Sequence, residues 1–347
     1  MKIAFVFKYE NNVGGGHFWR CYNLANNLKT KNRKFYFFSN SISKRYLNFL
    51  KKEKYKHIEI SNNNRKNFKI QLFNKIKKLK IKNLITDTYD LNYKDKKDLK
   101  NFVTKLIVID DHVDKKHYCD VLINNNFLSL SSMKKIKSLN PKTQLLLGHK
   151  YLILNKKINN LKKKIVKKKK IKKIFVFFGT SDKTFETLKM LKIVNFFLKN
   201  YFYIIVGDLN KNYKKIIRVC KNMNNVKVYY NLSNNKMIDL LKDSDLAIGS
   251  GGINLIERIS LGVPSMVIRV ANNQKDASLF LNKKKIIYYL GESKSVSPQT
   301  IKNALHTLIK NKKKYNFLYS NTFKAFKGLK NNNFIEKKLN STLVKQN

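Results

Sequence analysis

Short apolar runs alternate with longer amphipathic segments along most of this 347-residue chain. The short runs are rich in β-branched and aromatic residues, which is typical of buried strands. The longer segments repeat apolar residues at the spacing of a helix. Chains with this alternation form parallel sheets that are covered by helices on both faces. The pattern therefore predicts an α/β protein built on doubly wound, Rossmann-like sheets.

A lysine-rich stretch divides this pattern into two halves. Residues 155–173 carry two runs of three or more consecutive lysines and little apolar sequence, so we predict an interdomain linker there rather than a polyanion-binding arm. The chain is too long for one comfortable core, and about 150 residues is a common domain size. We expect a first domain at 1–154, a second at 174–312, and a basic helical tail at 313–347 that returns to the first domain.

The charge of the chain is strongly positive, with 74 basic residues, 21 acidic residues and a formal net charge of +53. Such a balance suggests a polyanion partner. Only seven of the basic residues are arginine, however, and the lysines are spread along the chain instead of forming one patch. Proteins that read nucleic acids rely on arginine for bidentate contacts. We therefore expect no specific nucleic-acid partner and keep nucleic-acid binding as the weakest alternative.

The three cysteines, Cys21, Cys119 and Cys220, lie far apart and show no metal-binding or redox spacing. This usage is typical of a reducing compartment. The first residues read as one short strand and not as a secretory signal, and no stretch is apolar enough to cross a membrane. We expect a cytoplasmic monomer that spans no membrane and carries no cofactor.

A glycine-rich turn at 13–16 follows the first strand and leads directly into His17 and a helical pattern. Glycine lets the backbone approach a ligand closely, and open α/β sheets bind ligands at the carboxyl ends of their strands. A helix N-terminus favours neutral imidazole, which can accept a proton. We predict His17 as a catalytic residue, with Gly15, Gly16 and Arg20 in contact with substrate. The alternative is a tight structural turn in which His17 caps the helix.

Acidic and phenolic side chains follow two later strands. Asp87 and Tyr89 come directly after one apolar run, where they can assist as a general base or hydrogen-bond a sugar. A simple helix cap is the alternative for the aspartate. The pair Asp110 and Asp111 follows the next run. Paired carboxylates can hold a metal, but no second acidic cluster accompanies them, so we expect them to orient a neighbouring loop and predict no metal site.

The second half of the chain opens with a turn that suits a phosphate. Residues 179–182 read Gly-Thr-Ser-Asp and precede a helical pattern, so the backbone N–H groups and the Ser181 hydroxyl can bind phosphate oxygens. The turn lacks the Gly-Lys-Ser/Thr ending of a P-loop.

A second turn, after the strand that ends near position 249, carries more candidate binding residues. The turn and the helix that follows it carry Ser250, Gly251, Gly252, Ile253 and Glu257. Glycines at a helix N-terminus can seat a diphosphate, and a carboxylate one turn further on can accept both hydroxyls of a ribose. The next strand ends near Asn273 and Gln274, whose amides can bind sugar or phosphate oxygens. A purely structural turn, with the glutamate on the surface, is the alternative.

A series of short motifs gives the chain a resemblance to one enzyme family. The motifs are Gly-His-x-x-Arg-Cys at 16–21, Asp-x-Tyr-Asp at 87–90, Val-Ile-Asp-Asp at 108–111, Cys119-Asp120 with Ile123-Asn124, Leu-Gly-x-Lys-Tyr at 147–151, Gly-x-Ser-Asp at 179–182, Ala-Ile-Gly at 247–249, Glu257-Arg258, Leu-Gly-Val-Pro at 261–264, and Asn273-Gln274. They resemble the UDP-2,4-diacetamido-2,4,6-trideoxy-β-L-altropyranose hydrolases of pseudaminic acid biosynthesis. That family is related to the lipid II-forming N-acetylglucosaminyltransferase and shares its glycosyltransferase-B architecture.

The resemblance implies two Rossmann-like domains that face a cleft, and hydrolysis of a UDP-sugar. Water would cleave the anomeric C1–O bond with inversion and without a metal, releasing UDP and the free sugar. By resemblance, His17 activates or orients the water, and Asp87 and Tyr89 lie beside the sugar. Which of these three groups accepts the proton stays open at this point.

The resemblance also implies where the nucleotide binds. It assigns Glu257 to the ribose, the turns at 179–182 and 250–253 to the diphosphate, and Asn273 and Gln274 to phosphate or sugar oxygens. A transferase of the same architecture, which passes the sugar to an acceptor instead of water, is the main alternative because it needs the same base.

Overall fold

The computed structural model describes residues 1–8, 15–40, 42–61, 64–161, 170–329 and 334–343. They form two compact units, one of Met1–Lys156 with Asn331–Asn347 and the other of Lys157–Lys330. Each unit contains one parallel sheet with helices. Among the described residues, no helix combines the length and the apolar character needed to span a membrane.

The first unit is built on a seven-stranded sheet with the strand order β3-β2-β1-β4-β5-β6-β7. Its strands are β1 (Lys2–Phe7), β2 (Lys34–Ser39), β3 (Lys56–Glu59), β4 (Asn83–Asp87), β5 (Lys105–Ile109), β6 (Val121–Asn124) and β7 (Gln144–Leu147). The helices between the strands are α1 (Gly16–Leu28), α2 (Lys44–Lys52), α3 (Arg65–Lys78), α4 (Tyr93–Leu99) and α5 (Leu130–Leu139).

The central strand β1 is buried on both faces of this sheet. Ile3, Phe5 and Phe7 lie in one apolar cluster together with residues of α1, whereas Ala4 and Val6 lie in another together with residues of α3. Burial on both faces explains why the strand reads as a continuous apolar run instead of an alternating one.

The second unit is built on a six-stranded parallel sheet with the order β10-β9-β8-β11-β12-β13. Its strands are β8 (Lys173–Phe177), β9 (Tyr201–Val206), β10 (Val226–Tyr230), β11 (Leu246–Ser250), β12 (Ser265–Arg269) and β13 (Tyr288–Glu292). The helices that follow α5 in the chain are α6 (Lys156–Leu161), α7 (Glu186–Leu191), α8 (Tyr213–Cys220), α9 (Asn234–Asp243), α10 (Ile253–Ser260), α11 (Lys275–Lys283), α12 (Pro298–Lys310) and α13 (Lys312–Gly328).

In each sheet the strand order reverses at one point, between β1 and β4 in the first unit and between β8 and β11 in the second. Open α/β sheets bind ligands outside the carboxyl ends of the strands at such a point. Three of the turns singled out in the sequence lie there, because the turn before His17 follows β1, the turn at 179–182 follows β8, and the turn at 250–253 follows β11.

Both ends of the predicted linker at 155–173 include residues of regular secondary structure. Apolar residues spaced three apart form the short helix α6, and its Ile158 is fully buried. At the other end, β8 begins at Lys173, and the backbone N–H groups of Lys172 and Lys173 each donate to the Asp245 carboxylate at 2.8 Å. Residues 162–169, which hold most of the lysines of the predicted linker, lie outside the described residues.

The predicted tail helix at 313–347 is two helices in the structure. Helix α13 belongs to the second unit, where the buried Tyr315 donates from its hydroxyl to the Asp245 carbonyl at 2.9 Å. Helix α14 (Phe334–Thr342) belongs to the first unit and buries Ile335 and Leu339 completely in the cluster that contains α1. Residues 330–333 lie outside the described residues.

We expect Leu339→Ala to destabilise the first unit by about 2–5 kcal/mol, because it removes buried methyl groups and leaves a cavity. The single tryptophan of the chain, Trp19, lies on α1, so its fluorescence during urea unfolding follows the first unit. Lys337→Ala, at an exposed position of the same helix, is the matched control and should change little. Equal stability of the two variants would show that α14 contributes nothing to this core.

Candidate active site

The glycine turn leads into α1 as the sequence predicts. Gly15 occupies the position before the helix, and His17 is the second helical residue. A Cβ atom at Gly15 would collide with the Tyr46 hydroxyl, so the close approach of α2 requires a glycine here. Residues 13 and 14 of the turn lie outside the described residues.

The His17 imidazole is held by Asp87, the last residue of β4. The distance between His17 Nδ1 and Asp87 Oδ1 is 2.7 Å. The Asp87 side chain is completely buried, and the His17 side chain is 10% exposed. The carboxylate reaches the ring because β4 is the neighbour of β1, after which α1 begins.

Arg20, one turn further along α1, forms two hydrogen bonds with the same carboxylate. Its Nε donates to Asp87 Oδ2 at 2.7 Å, and its Nη2 donates to Asp87 Oδ1 at 2.6 Å. Its Nη1 donates to Asp111 Oδ1 at 2.6 Å, and that oxygen also accepts from Asn126 Nδ2 at 2.9 Å. Burial alone would raise the pKa of Asp87, but Arg20 and His17 outweigh it and hold this pKa at about 2.

An ionised Asp87 decides which nitrogen of the neutral His17 ring carries hydrogen. A carboxylate only accepts, so Nδ1 must donate, and Nε2 then presents a lone pair. None of the described residues makes a hydrogen bond to this Nε2. The arrangement is that of a general base oriented by a buried carboxylate.

Tyr89 lies edge-on against the His17 ring, with ring centroids 5.4 Å apart and an interplanar angle of 85°. Desolvation and the nearby Asp111 carboxylate raise the pKa of the Tyr89 phenol, while Arg20 opposes them. The phenol therefore stays protonated at neutral pH. Tyr89 is 41% exposed and can donate a hydrogen bond to a ligand.

Two of the residues predicted to contact substrate are buried instead. Arg20 is 4% exposed, and its guanidinium is occupied by two carboxylates. Both Asp87 oxygens accept bonds from His17 and Arg20. At this sheet edge Arg20 and Asp87 occupy each other's hydrogen-bonding groups, which the sequence analysis did not predict.

The Asp110 and Asp111 carboxylates separate in the structure. Asp111 bonds Arg20, whereas Asp110 bonds the backbone and the ring of His112. This fits the expectation that the pair orients a neighbouring loop. No cluster of three or more His, Cys, Asp or Glu residues with metal-binding geometry occurs in the described part of the chain.

In the second unit, the turn at 179–182 offers fewer free donors than the sequence suggests. Asp182 accepts from the backbone N–H groups of Glu186 and Thr187 at 3.0 and 2.9 Å, so it caps α7 itself. A phosphate would have to compete with this carboxylate. The partly exposed Ser181 lies beside it, and burial raises the pKa of Asp182 to about 6.

The turn after β11 is held by Gln274. The Gln274 Oε1 atom accepts from Gly251 N at 3.2 Å and from Val270 N at 3.1 Å, which ties the ends of β11 and β12 together. A Cβ at Gly251 would lie 2.7 Å from the Ser278 hydroxyl, so a larger residue here would require that hydroxyl to move. Helix α10 starts after Gly252, and within the described residues no side chain caps it.

Glu257 and Arg258 are both buried in α10. Asn254 Nδ2 donates to Glu257 Oε2 at 3.0 Å, and burial raises the pKa of Glu257 to about 7. Arg258 donates from Nη2 to the Ser250 carbonyl, and burial lowers its pKa to about 9. Glu257 is therefore no surface residue, which disfavours the purely structural alternative with a solvated glutamate.

Three other predicted residues differ in exposure. Ser250 is buried at the end of β11, Ile253 is half-buried at the start of α10, and Asn273 is exposed in the 3-10 turn Asn272–Gln274. Only Asn273 is fully open to solvent. The Gln274 amide nitrogen makes no hydrogen bond to a described residue and is free to donate.

Comparison with known proteins supports the fold. No protein-family model matches the chain. MurG of Acinetobacter baumannii superposes with a TM-score of 0.60 at 12% identity, covering 98% of this chain and 99% of MurG. The Phytolacca americana enzyme UGT2, solved with UDP-2-fluoro-glucose and pterostilbene, gives a TM-score of 0.68 at 12% identity and 98% coverage of both chains. The predicted glycosyltransferase-B fold class, with two parallel α/β sheets, is confirmed.

Two curated proteins are similar in sequence. An uncharacterized protein of Methanocaldococcus jannaschii is 28% identical over 280 residues, which are 77% of this chain but only 55% of that protein. The UDP-2,4-diacetamido-2,4,6-trideoxy-β-L-altropyranose hydrolase of Campylobacter jejuni is 26% identical over 222 residues, which are 62% of this chain and 76% of the hydrolase. The chain thus spans little more than half the length of the first relative.

We expect Arg20→Gln to lower the free energy of unfolding by about 3–5 kcal/mol at pH 7, because it leaves the buried Asp87 carboxylate without its main partner. Trp19 fluorescence in urea measures this. The loss should shrink below pH 4, because the lowered pKa of Asp87 makes the pair stabilising only while the carboxylate is ionised.

Arg65→Gln is the matched control for this experiment. Arg65 donates to Asp95 at 2.6 Å, the same distance, but its side chain is 55% exposed. Exposed ion pairs contribute only about 0–1 kcal/mol. Similar losses in the two variants would contradict the structural role given to Arg20.

Proposed function

We propose that this chain hydrolyses a UDP-sugar, with UDP-2,4-diacetamido-2,4,6-trideoxy-β-L-altropyranose as the substrate. The observation that carries the proposal is that His17 Nε2 makes no hydrogen bond to a described residue. Asp87 fixes the orientation of the ring through Nδ1, and Arg20 binds Asp87 in turn. The sequence similarity to the Campylobacter jejuni hydrolase of that name supports the choice of substrate.

In the proposed reaction, His17 Nε2 takes a proton from a water molecule as the water oxygen attacks the anomeric carbon. A new C1–O bond forms on the face opposite the leaving group, so the configuration inverts. The bond from C1 to the diphosphate oxygen breaks, and its electron pair leaves with UDP. His17 then returns its proton to the solvent or to the product.

Three groups are candidates for the base, and their chemistry favours His17. The pKa of about 2 makes the Asp87 carboxylate a weak base, and its oxygens are occupied. The raised pKa of the Tyr89 phenol makes this group a donor instead of an acceptor at neutral pH. A positioned histidine base typically contributes about 10²–10⁴-fold to the rate.

We assign the nucleotide to the second unit. The uncapped N-terminus of α10 presents backbone N–H groups, and anions bind favourably at such a helix end. Glu257, one turn further on, would accept from the ribose hydroxyls. Gln274 Nε2 and Asn273 would donate to phosphate or sugar oxygens, and Ser181 is a weaker candidate because Asp182 already uses the nearby amides.

We expect His17→Ala to reduce UDP release from the diacetamido-trideoxy sugar nucleotide by about 10²–10⁴-fold, because no base remains to activate water. His306→Ala, at an exposed position on α12, should keep full activity and is the control. Enzyme-coupled detection of UDP gives the rate, and NMR gives the anomeric configuration of the free sugar.

The outcomes of this experiment separate the candidate functions. A folded wild-type protein that releases no UDP in water would refute hydrolysis. Release that requires an added acceptor would identify a transferase, which uses the same base. Full activity of the His17 variant would remove histidine from the mechanism and leave the hydrolase proposal without its central observation.

We expect Glu257→Gln to weaken UDP binding by about tenfold or more, because hydrogen bonds to a charged acceptor are stronger than those to a neutral one. In the wild type, UDP affinity should also rise as the pH increases through about 7, where Glu257 becomes ionised. Calorimetric titrations at pH 6 and pH 8 measure both effects.

Comparing the wild type with Glu257→Gln isolates the effect of the Glu257 carboxylate on UDP affinity. The terminal phosphate of UDP also titrates, but it does so equally with both proteins. The exposed Glu59→Gln substitution, in the first unit, is the control for a lost carboxylate. A Glu257→Gln protein with the affinity and pH profile of the wild type would remove the ribose assignment.

A further inference from the structure

A second imidazole–carboxylate pair lies at the same sheet edge as His17 and Asp87. Asp110 follows β5 directly and is 5% exposed. Its Oδ1 accepts from the His112 backbone N–H at 2.8 Å and lies 2.7 Å from His112 Nδ1. As in the first pair, a buried carboxylate orients the ring through Nδ1.

A buried chain of polar groups leads to the other carboxylate oxygen of Asp110, Oδ2, but its last contact, from His117 Nε2, is not a hydrogen bond. His117 Nε2 lies 3.4 Å from Asp110 Oδ2, and His117 Nδ1 lies 3.0 Å from Lys96 Nζ. His117 and Lys96 are 6% and 3% exposed. Burial and the Lys96 charge lower the pKa of His117 to about 4, so its neutral ring accepts from Lys96 and directs Nε2–H toward Asp110.

The two imidazoles flank one tyrosine. The Tyr89 ring lies edge-on against His17 at 5.4 Å and edge-on against His112 at 4.7 Å between centroids. The His112 side chain is 31% exposed, and its Nε2 makes no hydrogen bond to any residue that the structure describes. Both imidazoles are therefore adjacent to the exposed Tyr89 ring, and a ligand that extends across this ring can reach each of them.

The hydrogen bond to Asp110 raises the pKa of His112, although partial burial opposes this. The protonated ring donates from both nitrogens, so Nε2 becomes a hydrogen-bond donor. The other titratable or charged groups near the ring are Asp111 and Lys115 on its own loop, Tyr89 after β4, and His117 on the segment before β6.

We propose that His112 binds the sugar of the substrate by donating a hydrogen bond from Nε2 to an acyl carbonyl oxygen, and so selects N-acylated sugars. A carbonyl oxygen accepts and never donates, and hence it matches the protonated His112 ring, which donates from both nitrogens. A group that fixes orientation by one directional bond is typical of specificity in largely preformed sites. The proposal rests on the proposed function and names a selectivity residue for it.

The test compares wild type with His112→Phe and His112→Gln. Calorimetry, with each of the three proteins also carrying His17→Ala so that hydrolysis is slow, measures the affinity for UDP alone, for UDP-glucose and for UDP-2,4-diacetamido-2,4,6-trideoxy-β-L-altropyranose. We expect His112→Phe to lower the affinity for the diacetamido compound by about tenfold or more, since a charged hydrogen bond is lost. Binding of UDP and UDP-glucose should not change. His112→Gln keeps a neutral donor and should recover part of the loss.

Steady-state kinetics give an independent measurement. We expect the KM of His112→Phe to rise while kcat stays within about threefold, and the wild-type KM to rise at alkaline pH as His112 loses its proton. A fall in kcat with unchanged KM would overturn the proposal, because His112 would then act in the chemical step. Equal loss of affinity for UDP alone would also overturn it, because it would indicate a structural defect.

Failure of the hydrolase proposal is a separate result. If the wild type binds the diacetamido compound more tightly than UDP but releases no UDP from it, hydrolysis is refuted and the His112 comparison by calorimetry still decides selectivity. If the sugar adds no affinity in the wild type, or His112→Phe retains all of that added affinity, the His112 proposal is refuted.

Discussion

The candidate site depends on one buried ion pair, between Arg20 and Asp87. Removing two charges from water is costly, and such a pair is tolerated only when the remaining hydrogen-bonding positions are satisfied. Here Asp111 takes the remaining guanidinium nitrogen and His17 shares the Asp87 carboxylate. The pair ties α1 to the ends of β4 and β5, and the orientation of the His17 ring follows from that connection.

The two units share one topological plan but differ in the groups at the point where the strand order reverses. Both reverse strand order at a central pair of strands, and both begin a helix near that point after a glycine. In the first unit, buried carboxylates bond Nδ1 of His17 and of His112, and neither Nε2 atom makes a hydrogen bond to a described residue. In the second unit, no described side chain caps the backbone N–H groups at the start of α10. The buried ionisable residues Glu257 and Arg258 follow in the same helix. The first arrangement suits proton transfer and directional recognition, and the second suits an anion.

The central strands could be predicted because burial on both faces produces continuous apolar runs, as in β1. The edge strands β3 and β7 could not be predicted in this way, since they are short and half-exposed and show no such run. The meeting of His17 with Asp87 could be expected from their places after neighbouring strands. The hydrogen bonds that occupy the whole Arg20 guanidinium could not be expected, because they depend on distances between three separate segments of the chain. His112 was missed because a single histidine after two aspartates has no periodic signal, and its contact with Tyr89 depends on the conformation of two loops.

The return of α14 to the first unit sets an order for the maturation of the chain. During synthesis, β1 to β7 leave the ribosome before the second unit does, but the cluster around α1 lacks Ile335 and Leu339 until α14 is made. The second unit is continuous in sequence, from 157 to 330, and is complete before then. Domains generally fold as units as they emerge. The unit that begins first is therefore the last to close its core, and its apolar surface on α1 stays uncovered while the other unit folds.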